Sequence, residues 1–156
     1  MNEKQQFRDV LIKALLILIC ATLYCLGGAE FGWGKWLRRF LMPIVMCGGM
    51  YWFSRDWKCL LSSIPLGIGL SLGYGADETW LKIIKRSYCG FLLGLGSSLE
   101  DWLNKRFIIA IFQTVLVTIG MILLGTFNPL PNARIEEFCI GLLITFLPIM
   151  SARKKI

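Results

Sequence analysis

The chain contains no histidine. That removes the usual general base, the commonest metal ligand and the usual partner of a serine or cysteine nucleophile. Charge is also scarce. Only 17% of residues are charged and 56% are hydrophobic, whereas an ordinary soluble domain is about 25% charged. No G-x-x-x-x-G-K-[ST] phosphate loop occurs, and Gly67-x-Gly69 lies inside an apolar stretch rather than in the strand–turn–helix setting of a dinucleotide site. Of the six cysteines (Cys20, Cys25, Cys47, Cys59, Cys89 and Cys139), none forms a C-x-x-C pair. Each sits in or beside an apolar run, as a small helix residue rather than a disulfide or metal-site partner. No catalytic residue, cofactor or metal is assigned, which leans against an enzyme.

What the chain does have is six apolar stretches separated by short clusters of charge, with a mean hydropathy of +0.62. Residues 10–28, 59–75 and 107–127 meet or nearly meet the about 20 residues that a helix needs to cross a bilayer. Residues 40–53, 88–99 and 138–150 are shorter, but two of them lengthen to Trp36–Phe53 and Trp80–Leu99 if the basic residues at their edges snorkel. The fold expected over residues 1–156 is all-α: a single polytopic integral membrane helical bundle of about six short transmembrane helices. Four or five true spans are the alternative. Lys4, Arg8 and Lys13 ahead of the first run, with Gly27-Gly28-Ala29 after it, faintly resemble a signal peptide; the run is read as a retained span.

The net charge of +7 gathers beside tryptophans at the ends of the runs. Trp33, Trp36, Arg38, Arg39, Trp57, Trp80, Lys82, Lys85, Arg86 and Trp102 are therefore expected at the membrane interface, against anionic headgroups and not nucleic acid. Within residues 80–91, Trp80, Ile83, Ile84, Tyr88 and Phe91 share one helical face, opposite Lys82, Lys85 and Arg86. With six spans, the N-terminus, residues 54–58, residues 100–106 and the C-terminus share a side. That side holds more Lys and Arg, so both termini are expected to be cytoplasmic at an inner membrane.

Two features suggest internal organisation. Trp36-Leu37-Arg38 and Asp56-Trp57 recur as Trp80-Leu81-Lys82 and Asp101-Trp102, which raises a parallel internal repeat of residues 35–75 and 80–125. Small residues at every fourth position (Ser63, Gly67, Ser71, Gly75, and then Gly90, Gly94, Ser98) predict close helix packing, within the chain or against another subunit. Pro43, Pro65 and Pro148 interrupt apolar runs and are expected to shape packing.

Polar chemistry is sparse. Gln113, Thr114 and Thr118 form the one polar group inside a span, either lining a pore or bonding to an adjacent helix. Asp77-Glu78, Glu100-Asp101 and Glu136-Glu137 are adjacent carboxylates at helix ends; they read as caps and loop-orienting groups, the alternative being a lipid-headgroup enzyme. Three functional readings result. The first is a non-enzymatic inner-membrane module: a channel-like or transport assembly, or an accessory subunit, in either case a homo-oligomer or part of a larger membrane complex. The second is a phage-type membrane effector, holin-like or superinfection-blocking. The third is the headgroup enzyme.

Overall fold

The computed structural model describes residues 2–27, 33–71, 79–126 and 133–152. Among these the chain is helical, with no strand, and forms six helices. Helix α1 is Glu3–Leu26. Helix α2 runs continuously through Gly34–Trp36, Leu37–Leu41 and Met42–Ser54. Helix α3 comprises Lys58–Leu61 and Ser63–Ser71. Then come α4 (Thr79–Leu103), α5 (Phe107–Thr126) and α6 (Ala133–Ser151).

The prolines account for the irregular turns. Pro43 has no N–H to give the carbonyl four residues back, and its ring crowds that carbonyl. The preceding turn, Leu37–Leu41, is a π-helix, in which the Met42 N–H reaches the Leu37 carbonyl five residues away. Pro65 likewise cannot serve Leu61, and α3 is interrupted at Ser62.

Neighbouring helices run antiparallel. The α2–α3 and α4–α5 connections fall at one end of the bundle, here the turn end. Each has one basic residue in the left-handed region, Arg55 (φ 54°) and Lys105 (φ 60°), and an Asp-Trp pair nearby: Asp56-Trp57 within the first connection, Asp101-Trp102 in the last turn of α4 before the second. Beyond that the two helix pairs differ. Helices α4 and α5 are tightly apposed, whereas an open groove of about 560 Å³ separates α2 from α3.

Helix α1 packs along α6. A side chain at Gly141 would meet the Ala21 Cα at 2.9 Å, so the glycine lets the two backbones approach. Residues 3–12 of α1 run on beyond this contact, with Phe7 and Val10 exposed. The core is apolar: Ile17, Met46, Met50, Leu66, Leu93, Val117, Met121, Ile140 and Ile144 are buried together. Two helices, α1 and the Phe107–Leu124 part of α5, are long and apolar enough to cross a membrane. All six cysteines are free thiols.

Candidate functional site

Charged side chains turn toward the interior at the two ends of the bundle, and uncharged polar side chains are buried between α4 and α5. At the turn end, Asp56 accepts the Lys58 N–H (3.2 Å) and so caps the start of α3. The Asn104 amide links the two connections: its Nδ2 donates to Asp56 Oδ2 (3.2 Å), and its Oδ1 accepts from Lys58 Nζ (2.9 Å). Arg106, at the start of α5, meets Asp101 (Nε–Oδ1, 3.0 Å) and Glu100 (Nη2–Oε1, 3.8 Å). Burial pushes the Asp101 carboxyl above its usual range, and Arg106 partly offsets the rise. Lys13 closes this end by donating to the Met150 and Ala152 carbonyls (3.2 and 2.5 Å), the orphan acceptors at the end of α6, with its ammonium 5.2 Å from the Phe53 ring centroid.

At the far end, two arginines point inward. Arg38 pairs with Glu137 (3.1 Å), donates from Nε to the Tyr24 carbonyl (2.9 Å) and stacks 4.2 Å from the Tyr24 ring centroid. Arg86 pairs with Glu136 (3.2 Å), both side chains being nearly buried. These pairs join α1, α2, α4 and α6. Removing one partner of such a pair leaves an uncompensated charge in a poorly solvated place.

The interface residues expected from sequence divide into two groups. Trp33, Trp36, Arg39, Trp57, Trp80 and Lys85 are exposed, Lys82 is half-buried, and Trp102 is half-buried with its indole N–H buried. Arg38 and Arg86, read as snorkelling outward, are instead the two arginines of the far-end pairs. Glu136-Glu137 stands out in the sequence as a carboxylate pair, but its partners do not. The available signal was topological: with six antiparallel helices, residues 34–38, 79–86 and 133–137 must share one end.

The small-residue positions also divide. Gly90 and Gly94 lie against the α5 backbone at Thr118 and Thr114, and Ser98 Oγ is 2.9 Å from Thr114 Oγ1. Ser63, Gly67 and Ser71 face the open groove, where the two serine hydroxyls donate back to Leu60 and Gly67 carbonyls. Gly75 and Asp77-Glu78 lie outside the described residues. Gln113 is buried at the α4–α5 contact, its Nε2 3.5 Å from the Ser97 carbonyl; Thr114 and Thr118 donate to carbonyls of their own helix. Of these bonds, those of Ser98 with Thr114 and of Gln113 with Ser97 join α4 to α5.

Glu100-Asp101 does not cap a helix start. The pair lies in the last turn of α4, where the helix dipole disfavours carboxylates, and Arg106 supplies the compensating charge. Among the described residues no group of three Cys, Asp or Glu side chains is arranged to hold a metal ion. No family model matches the chain, and neither the curated proteins nor the solved structures give a match.

Proposed function

We propose that the chain is an integral inner-membrane protein whose six helices span or enter the bilayer, with both termini cytoplasmic. It acts as a non-enzymatic module, an accessory subunit of a larger membrane complex or an assembly of its own copies. One observation carries the membrane part. Helix α4 is amphipathic, yet its apolar face is the one turned outward: Trp80, Ile84, Tyr88 and Phe91 are 50–60% exposed, while Arg86 on the other face is nearly buried against Glu136. Water would favour the opposite arrangement; lipid favours this one. The outer faces of α2, α3 and α5 agree, with Ile44, Ile64, Ile108 and Phe112 each more than 60% exposed.

The non-enzymatic part rests on the carboxylates. In both pairs that the structure describes, each acid is held by an arginine, which leaves neither pair open for a cation or a substrate proton. Between the two charged ends the described core is mostly apolar, apart from Ser97, Ser98, Gln113, Thr114 and Thr145, so a single copy offers little for a hydrated solute to follow. This favours a module that works through contacts over a one-chain pore. The resemblance between residues 35–75 and 80–125 belongs to the same reading, as two helix pairs with an Asp-Trp at the turn or in the helical turn before it.

Membranes containing the full chain should keep it through an alkaline carbonate wash; release into the supernatant would reject the membrane reading. Liposomes carrying dispersed single copies should hold an ion gradient. A steady leak at that dilution would reject the module reading in favour of a one-chain channel.

A further inference from the structure

We propose that the groove between α2 and α3 binds an anionic phospholipid, with the lipid phosphate on Arg39 and an acyl chain along Ile44, Ile64 and Ile68. The inference rests on the membrane reading above. The groove holds about 560 Å³ and opens on the outer face of the bundle. Its floor is smooth because Gly67 has no side chain and because Ser63 and Ser71 turn their hydroxyls onto their own helix. Its walls are the exposed Ile44, Ile64 and Ile68.

One end of the groove is charged. Arg38 and Arg39 are adjacent on the π-helical turn before Pro43, and they have opposite fates. Arg38 is held inside by Glu137, whereas Arg39 is exposed and lines the groove; among the described residues it makes no ion pair. Trp36, one turn earlier, is 66% exposed and stacks on Phe40 with ring centroids 5.0 Å apart. An exposed tryptophan of this kind marks headgroup depth. The guanidinium thus stands at the level of lipid phosphates, above an apolar furrow that runs toward the membrane interior. A lipid supplies both complements at once, an anion for Arg39 and a chain for the furrow. A helix from a second copy would fill the furrow and leave the cation without an anion.

The test is native mass spectrometry of the detergent-purified full chain, titrated with phosphatidylglycerol or phosphatidylcholine. Phosphatidylglycerol should bind more tightly. Arg39→Gln should weaken it about fivefold, the loss of one cation near an anionic surface, while Arg39→Lys keeps most of the preference. Gly67→Leu should block the site without unfolding the chain, since a Cβ at Gly67 meets only the Arg39 carbonyl oxygen, at 3.6 Å. Arg39 is exposed, so its variants decide the question even if Gly67→Leu folds poorly. Equal binding of the two lipids, or an Arg39→Gln protein that binds as wild type does, overturns the proposal. So does inorganic phosphate competing as well as the lipid does. A Gly67→Leu chain that loses a subunit and keeps its lipid assigns the groove to a second copy. A chain washed off membranes by carbonate loses both readings, whereas one that stays and shows no Arg39 effect loses this one alone.

Discussion

Gly94 lies directly on the backbone of Thr114. A methyl group added at Gly94 would come within 2.8 Å of both the Thr114 Cα and its carbonyl oxygen, and Gly90 stands in the same relation to Thr118 one turn away. The contacting atoms are main chain, so neither helix can relieve the clash by turning a side chain. Gly94→Leu should therefore separate α4 from α5 and destabilise the protein by several kcal/mol, on the order of 3. Gly67→Ala, at a position of equal spacing in the open groove, should change the melting temperature little. Thermal unfolding of the two variants in one detergent compares them directly; equal melting would contradict the seam.

Arg38→Leu should cost about 3 kcal/mol, because it leaves Glu137 charged in a mostly buried place. Its 22% side-chain exposure puts the effect at the low end for buried pairs. Replacing Glu137 with Leu as well should recover much of the loss. A double-mutant cycle by chemical denaturation measures this, and additive single effects would show that the pair is not coupled.

Asp101 supplies a pH test. Its folded-state pKa is raised above the usual 3.8, by burial first and with Arg106 opposing. The folded chain therefore holds this proton more tightly than the unfolded chain does. The resulting stabilisation is complete below the unfolded pKa and is lost as pH rises through the folded one. Asp101→Asn should flatten that part of the stability–pH curve, which begins above 3.8 and ends above the raised folded-state pKa. A curve unchanged by the substitution would show that Asp101 has no such role.

Lys105 is exposed, with φ at 60°. Left-handed backbone costs an L-residue about 1–2 kcal/mol, and glycine escapes most of that at the expense of extra freedom in the unfolded chain. Lys105→Gly should stabilise the chain by up to about 1 kcal/mol, read as a higher denaturation midpoint. A lower midpoint would mean that the lysine makes a compensating contact.

A reporter fused after Lys155 should be active on the cytoplasmic side. The turn end gathers Lys13, Arg55, Lys58, Lys105 and Arg106, while two arginines of the far end are neutralised inside the bundle. Periplasmic activity of the reporter would reverse the topology.

The six helices were legible from the spacing of apolar runs alone. Even the short runs at 40–53 and 88–99 grew into full helices once flanking basic residues were included. What the spacing left open was which way a given residue faces. Arg38 and Arg39 are identical neighbours, and the difference between them comes from α6, which brings Glu137 to one and nothing to the other. Gly94 and Gly67 sit in matching four-residue patterns, but only Gly94 meets another helix. The Asp56–Asn104–Lys58 bonds were hidden for the same reason: they join residues that are neighbours only after two turns have been brought together.

The outward face of α2 is bounded by Trp36 and Trp52, both more than 60% exposed. The rise between them is about 24 Å. A typical hydrocarbon core is about 30 Å thick. In the bilayer proposed here this face of α2 is short for its solvent, unlike α1 and α5, and each ångström of mismatch carries a fraction of a kcal/mol. Lipid facing α2 would thin locally, which would draw shorter-chain lipids to that side of the bundle. In the assembly of copies proposed above, two such thinned patches would cost less merged than apart, which would favour the short aromatic-bounded face of α2 as a meeting face.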